Sequence, residues 1–359
     1  STIKVIHRLR DLGFIGFKKG YEGSVEYAPR LSRIWATDKL ISLFKEVAFS
    51  YFDINYSKDR EVVILRNEDK QDIEYDDSKS IQNMRDLLHD YNALLNTTFI
   101  DIPELDIPRI ELEEKKQRRR RNKPIFVNIS HHDKFTRRIF NNSSFEEGGR
   151  FYGGWWQRID ESQRKRIRLN NLPTVEIDYS ALHVILAYTE IKEDYWKLTD
   201  KDPYRVPIDG INNPEHIRDI NKLFFLLSLN ASNEISLYKA FRSELDYKEY
   251  PYKFPDKVLA KLLEDIKLLH PKIAHLICSG AGLRLMSLDS KMVEFIIREF
   301  VKTNTPILTV HDSFVVPFGQ EDRLNSLMKE AFILVTKQER VRIKYNPNIT
   351  KKGLYASQH

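Results

Sequence analysis

Residues 174–188 read TVEIDYSALHVILAY. Val175 and Ile177 alternate with Glu176 and Asp178, the period of two that a half-buried strand requires, and from Ser180 onward the apolar residues take helical spacing. The stretch predicts a strand that runs into a helix, with Asp178 at the strand's end on the face turned away from the core. A lone aspartate in such a place would be a turn residue satisfying backbone amides. Its weight depends on what accompanies it.

A second aspartate is presented in the same manner. Residues 306–318, PILTVHDSFVVPF, are two short β-rich runs flanking His311, Asp312 and Ser313, which predicts a hairpin with a carboxylate at its tip. Transfer of a phosphoryl-type group by two magnesium ions about 3.5–4 Å apart needs bridging carboxylates on a rigid platform, because small errors in metal spacing spoil the in-line alignment. Two strand-mounted aspartates supply such a platform. Asp178 and Asp312 are therefore the expected catalytic and metal-binding residues, with two Mg2+ ions as the cofactor and Mn2+ as an acceptable substitute.

Between them, PEHIRDINKLFFLLSLNAS (residues 214–232) reads as a helix with Pro214 and Glu215 in its first turn and an apolar far face. Arg218 and Lys222 stand at i and i+4 and project from one side. Two cations there can clamp a triphosphate and neutralise charge building on the leaving pyrophosphate. Ahead of all three lies GGRFYGGWWQRI (residues 148–159), in which glycines flank Arg150 and Tyr152. Glycines let a backbone approach a sugar-phosphate closely, and arginine beside aromatics suits strand contact, whereas Trp155 and Trp156 read as core residues.

In this order and spacing the motifs resemble the superfamily that joins A-family DNA polymerases to the single-subunit, phage-type RNA polymerases. Asp178-Tyr179-Ser180 is similar to the A-family palm motif, and Val310-His311-Asp312-Ser313-Phe314 to the palm hairpin of the phage-type enzymes. Arg218, Lys222 and Asn230-Ala231 fall on the fingers-helix pattern Arg-x3-Lys-x7-Tyr-Gly, with the aromatic-glycine pair replaced. GGRFY is similar to the Gly-Arg-x-Tyr element of the phage-type enzymes, and residues 287–300, SLDSKMVEFIIREF, to the helix leading into their hairpin. The resemblance implies an α+β right-hand fold with an antiparallel palm sheet and helical fingers around residues 190–265. It implies metal binding by the two aspartates, catalytic help from Lys222, and substrate contacts from Arg218, Tyr179, Arg150, Tyr152 and His311. The A-family sugar-selecting glutamate, five residues after the first aspartate, is matched by His183, and its aromatic partner by Asn230. The pair could reject or accept a ribose hydroxyl, and the expectation is a preference for dNTPs with unusually loose discrimination.

The 359-residue chain is 41% hydrophobic and 31% charged, which excludes disorder as the default and leaves room for one large core or two smaller ones. A net charge of +6 suits a polyanionic partner without demanding one. The single cysteine, Cys278, excludes an internal disulfide and any cysteine-cluster metal site. The adjacent His131, His132 and Asp133 diverge as neighbours do and read as turn residues rather than zinc ligands. No stretch approaches the roughly 20 apolar residues of a membrane span, so the expectation is a cytoplasmic protein with no membrane partner.

Three regions are expected: a mostly helical N-terminal domain over 1–110, read as a reduced thumb or accessory domain; a basic linker or arm over 111–124; and a palm-and-fingers core over 125–359. Arg118, Arg119, Arg120 and Arg121 in the arm are candidate nucleic-acid contacts. The functional expectation is a template-directed nucleotidyltransferase, in first place a DNA polymerase, that takes a DNA template and primer and nucleoside triphosphates, with an accessory protein or helicase as a further partner. The alternatives are an RNA polymerase or primase, and a non-catalytic nucleic-acid-binding replication partner. No exonuclease carboxylate cluster is visible, so proofreading is not expected.

Overall fold

The structure, a computed structural model, describes residues 2–20, 31–47, 60–112 and 125–346. It separates into two compact units, Ser1–Asp59 and Arg60–His359. In the first, helix α1 (Thr2–Asp11) leads into strand β1 (Ile15–Lys18), which pairs antiparallel with β2 (Arg33–Ala36) before helix α2 (Asp38–Glu46). The Thr37 hydroxyl donates to the Gly13 carbonyl at 2.7 Å, and the Lys39 ammonium lies 4.6 Å from the centre of the Phe14 ring. Ile15 is the only buried apolar side chain among this unit's described residues.

The second unit is α+β, with two sheets and a large helical complement. One sheet holds β12 (Leu308–Val310), β13 (Ser313–Pro317), β11 (Leu172–Tyr179), β10 (Arg168–Leu169) and β5 (Ile100–Asp101) in that order, with β14 (Ile343–Asn346) also paired to β11. Every pairing in it is antiparallel. The other runs β4 (Asp72–Ile73), β3 (Val63–Arg66), β8 (Thr136–Asn141), β9 (Ser144–Gly153); β3 and β8 are parallel and the rest antiparallel. A separate ribbon pairs β6 (Arg109–Leu112) with β7 (Ile125–Asn128). Helices α3 (Lys79–Thr97), α4 (Glu161–Arg164), α5 (Leu182–Glu190), α6 (Tyr195–Leu198), α7 (Pro214–Asn230), α8 (Glu234–Glu244), α9 (Asp256–Leu269), α10 (Gly282–Lys302) and α11 (Glu321–Thr336) complete the unit. None of the described helices is long and apolar enough to cross a membrane.

The chain divides at 59/60. Residues 60–112 share one core with residues 125–346: the Tyr91 hydroxyl donates to the Ile307 carbonyl at 3.0 Å, and the buried Lys134 ammonium donates to the Leu95 and Thr98 carbonyls at the end of α3. The segment 60–112 also contributes four strands beside its one helix, so the N-terminal third is not mostly helical. The arm residues Arg118 to Arg121 lie outside the described residues.

Strand β11 departs from its half-buried reading. Thr174, Val175, Glu176 and Ile177 are all buried, so both faces of the strand are covered. Glu176 tolerates this because Arg164 donates to its carboxylate at 3.0–3.3 Å and the Ser313 hydroxyl donates at 2.9 Å. Removing one member of such a pair strands a buried charge. Arg164→Ala is therefore expected to destabilise the fold by about 3–5 kcal/mol in chemical denaturation. A loss under about 1 kcal/mol, the value of an exposed pair, would show that Glu176 does not need this partner.

Candidate active site

The β12–β13 hairpin has a two-residue tip. Val310 pairs with Ser313, leaving His311 and Asp312 as the turn, and His311 takes a positive φ of 58° at the first turn position, where such hairpins usually place glycine. Holding an imidazole residue there costs on the order of 1–3 kcal/mol, which the rest of the sheet must offset. On the neighbouring strand Asp178 stands opposite Ser313, so the two aspartates emerge side by side from adjacent strands. After Asp178 the chain reverses sharply through Ala181, φ 56°, into α5.

Neither aspartate makes an ion pair with a described residue. Burial, followed by the charge of Asp312, pushes the Asp178 carboxyl up to about 8, against an opposing pull from Lys222. Two unpaired carboxylates that repel one another at a half-buried strand end form a donor set that fits hard divalent cations. Among the described residues no group of three or more His, Cys, Asp or Glu side chains is arranged to hold a metal, so the cations would share these two carboxylates with substrate oxygens or water.

The sign of the Asp178 shift gives a pH prediction. A carboxyl whose folded pKa is raised binds its proton more tightly folded than unfolded, so its ionisation costs nothing below about pH 4 and costs progressively more as the pH rises towards 8. In chelator, Asp178→Asn should melt above wild type at pH 8, by about 2–4 °C for each kcal/mol relieved, with the gap closing near pH 4. Parallel melting curves for the two proteins would refute the raised pKa of Asp178.

Helix α7 begins as its sequence dictates. The Asn213 side chain accepts from the Glu215 and His216 amides, and Pro214 occupies the first turn. Lys222 is exposed, forms no ion pair among the described residues, and acts electrostatically on both Asp178 and His183. Arg218, one turn earlier, is not free: its Nε donates to Asp202 at 2.6 Å, and its guanidinium lies 5.5 Å from the centre of the Tyr204 ring. Beside them a cavity of about 530 Å³ is lined by Ser180, Ala181, Asp202, Arg205, Arg218 and Arg342, among others.

Arg150 turns inward from β9. Its Nε donates to both oxygens of Asp289 at 3.2 and 2.9 Å, its Nη2 also donates to Asp289, and the same Nη2 lies 2.9 Å from His183 Nε2. Burial lowers the His183 pKa to about 4, so the ring is neutral at pH 7. Burial and, less strongly, the charge of Asp312 raise Asp289 to about 7 while Arg150 opposes them. Arg138, buried beside this group, donates to Glu294 at 2.6 Å, to Ser290 Oγ at 3.1 Å and to the Gly149 carbonyl at 2.8 Å. Gly148 and Gly149, φ 79° and 76°, sit at a register shift between β8 and β9. A Cβ on Gly149 would lie 2.5 Å from the Phe140 ring, so these glycines serve packing of the hairpin.

Asp178, Asp312, Lys222, His183, Arg150 and His311 are thus gathered in one neighbourhood, with the Tyr152 ring 6.3 Å from that of the exposed His311. Two expected substrate contacts lie elsewhere. Tyr179 is buried with its hydroxyl donating to the Met328 carbonyl at 2.6 Å, so it is a core residue. Asn230 ends α7, two turns beyond Lys222, and donates to the Leu226 carbonyl at 2.8 Å while its side chain fills the space above Gly282. Asp289, Asp202, Glu176 and Arg164 were not singled out from the sequence. Strand parity could have found Glu176, on the same face as Asp178; no local signal marks Arg164 or Asp202.

No protein-family description and no curated protein matches this chain. Among solved structures it is similar to the polymerase domain of Pol1 from M. smegmatis in complex with DNA primer-template and dNTP. That likeness has a TM-score of 0.32 and 15% sequence identity, and covers 59% of this chain and 47% of the other, so the chain spans about half the length of that domain.

Proposed function

We propose that the chain is a template-directed nucleotidyltransferase that extends a DNA primer on a DNA template. In this reading the antiparallel sheet carrying β11, β12 and β13 is the palm of a right hand and the helices from α6 to α9 are its fingers. The observation that carries it is the convergence of Asp178 and Asp312 from adjacent strands, close enough for one charge to push up the pKa of the other, beside the ammonium of Lys222, which has no ion-pair partner among the described residues. Such a pair is costly for the fold, and a bound cation offsets that cost.

Asp178 and Asp312 would hold Mg2+ ions, which when bound neutralise the charge around an in-line displacement. The chain's own groups do the rest. Lys222 meets the triphosphate without first giving up a protein partner. Arg218 reaches phosphate only by exchanging Asp202, and the cavity beside Ser180 and Ala181 adds Lys201, Arg205 and Arg342 to its lining, with Arg342 paired to Asp200. His311, in its strained turn, fixes where Asp312 points.

The test is a set of incubations in Mg2+ with a primed template, an unprimed template, and separate dNTP and rNTP pools. Extension of the primed template by dNTPs supports the reading. Products from the unprimed template or from rNTPs alone would make the protein a primase or RNA polymerase. Binding without synthesis under any condition would make it a nucleic-acid-binding module.

A further inference from the structure

Strands β1 and β2 of the first unit form a ribbon with two unlike faces. Paired residues of an antiparallel ladder share a face, so the register Gly16↔Trp35 and Lys18↔Arg33 puts these four residues together on one side. The other side carries Ile15, Phe17 and Ile34. Ile15 is buried there, and the Phe17 ring lies 5.9 Å from that of His7 on α1, so this is the side on which the unit packs.

The Trp35 side is open. A Cβ on Gly16 would collide with Cε2, Nε1 and Cζ2 of the Trp35 indole, so the ring lies across the bare glycine backbone. Covering Gly16 occupies only the inner face of the ring. Trp35 remains 52% exposed, which leaves its outward face to solvent. Lys18 and Arg33, the next pair along the same face, are exposed and form no ion pair among the described residues. Neither strand contains an acidic residue.

We propose that this face is a stacking platform for single-stranded DNA, with a base on the outward face of Trp35 and neighbouring phosphates on Lys18 and Arg33. An open aromatic ring beside unneutralised cations matches the two things an unpaired strand offers, base π-surface and phosphate charge, and the match is tolerant of sequence. A duplex keeps its base faces inside the stack, where an indole laid along a strand does not reach them. The side chains of Lys18, Arg33 and Trp35 only donate hydrogen bonds, so the proton of a ribose 2′-hydroxyl finds no acceptor among them, and the strand that fits is DNA. The inference concerns the first unit alone and holds whether or not the chain extends a primer.

Tryptophan fluorescence of the full chain tests it. Of the four tryptophans, Trp155, Trp156 and Trp196 are buried, so Trp35 is the exposed reporter. Acrylamide is expected to quench its emission in the free protein. Titration with oligo(dT) is expected to quench the same emission and to shield it from acrylamide, and a blunt duplex of equal length is expected to do neither. Trp35→Phe, which can still cover Gly16, should lose the oligo(dT) response. In the double variant Lys18→Ala, Arg33→Ala the quenching midpoint should move to higher oligonucleotide concentration. Its salt dependence should flatten by about 0.7 for each lost phosphate contact.

A Trp35 that acrylamide cannot reach, emission unmoved by excess oligo(dT), or a response retained in Trp35→Phe overturns the platform. So does a duplex that quenches as strongly as the single strand. Should Trp35→Phe fail to fold, the double variant decides: a midpoint and salt slope equal to wild type remove Lys18 and Arg33 and with them the proposal. An oligo(U) midpoint lower than that of oligo(dT) overturns the assignment to DNA.

Discussion

Asp178→Asn and Asp312→Asn are each expected to abolish primer extension, a loss of at least about 10³-fold, while nucleic-acid binding stays within a few fold of wild type. Asparagine keeps the shape of each side chain and the β11–β13 register, so the change isolates charge. Asp178 carries a pKa raised first by burial and then by the charge of Asp312, hence its removal relieves both and stabilises the metal-free fold at pH 8 as it destroys activity. A variant that is more stable and inactive cannot owe its inactivity to misfolding. Steady-state extension rates with quantified protein check this, and wild-type rates in either variant would remove that residue from the site.

The second large effect belongs to Lys222. Its ammonium is exposed and without an ion-pair partner among the described residues, and it lowers the Asp178 pKa, so it is close to the carboxylates without being neutralised by a salt bridge. A preorganised cation next to developing charge acts mainly on the transition state. Lys222→Ala should lower kcat on the order of 10²–10³-fold with a smaller change in KM, as loss of a preorganised charge-stabilising donor does. Arg218→Ala should do less, because Arg218 already has Asp202 as a partner and must exchange it to serve a substrate. Single-turnover extension rates separate the two, and a Lys222→Ala variant altered only in thermal stability would make α7 structural.

The contrast between Lys222 and Arg218 shows what the sequence could and could not convey. An i, i+4 spacing puts both cations on one side of α7, and the Asn213 cap with Pro214 fixes where that helix starts, so the helix and its face were legible locally. The partner of Arg218 lies 16 residues earlier in a loop, and nothing in the helix announces it. Arg150 makes the same point over a longer span. Its flanking glycines suggested close approach to a strand, yet its partner Asp289 lies 139 residues away on α10, and the pairing turns the guanidinium inward. Long-range ion pairs have no period, so they leave no pattern to read.

Both aspartates were legible because strand alternation and the two-residue hairpin are local geometry. Alternation also carried information about Tyr179: it shares parity with Val175 and Ile177, and it lies in the core with them. The resemblance implies a substrate contact there, whereas the Tyr179 hydroxyl donates to the Met328 carbonyl in the core. The expected domain boundary near residue 124 rests on a shift in composition, but composition does not report which segments share a core. Tyr91 and Lys134, whose bonds join residues 60–112 to the rest, are single polar groups in otherwise ordinary stretches. The burial of Glu176 likewise depended on Arg164, on a separate helix.

The central claim is that two strand-borne carboxylates support templated nucleotide addition, and single-nucleotide incorporation in Mg2+ opposite each of the four template bases addresses it most directly. The account predicts that a primed template is lengthened by one nucleotide, that the nucleotide added is the complement of the template base, and that chelation of the metal stops the reaction. A primer left unextended by wild-type protein that demonstrably binds it, or addition that ignores the template base, would contradict the account.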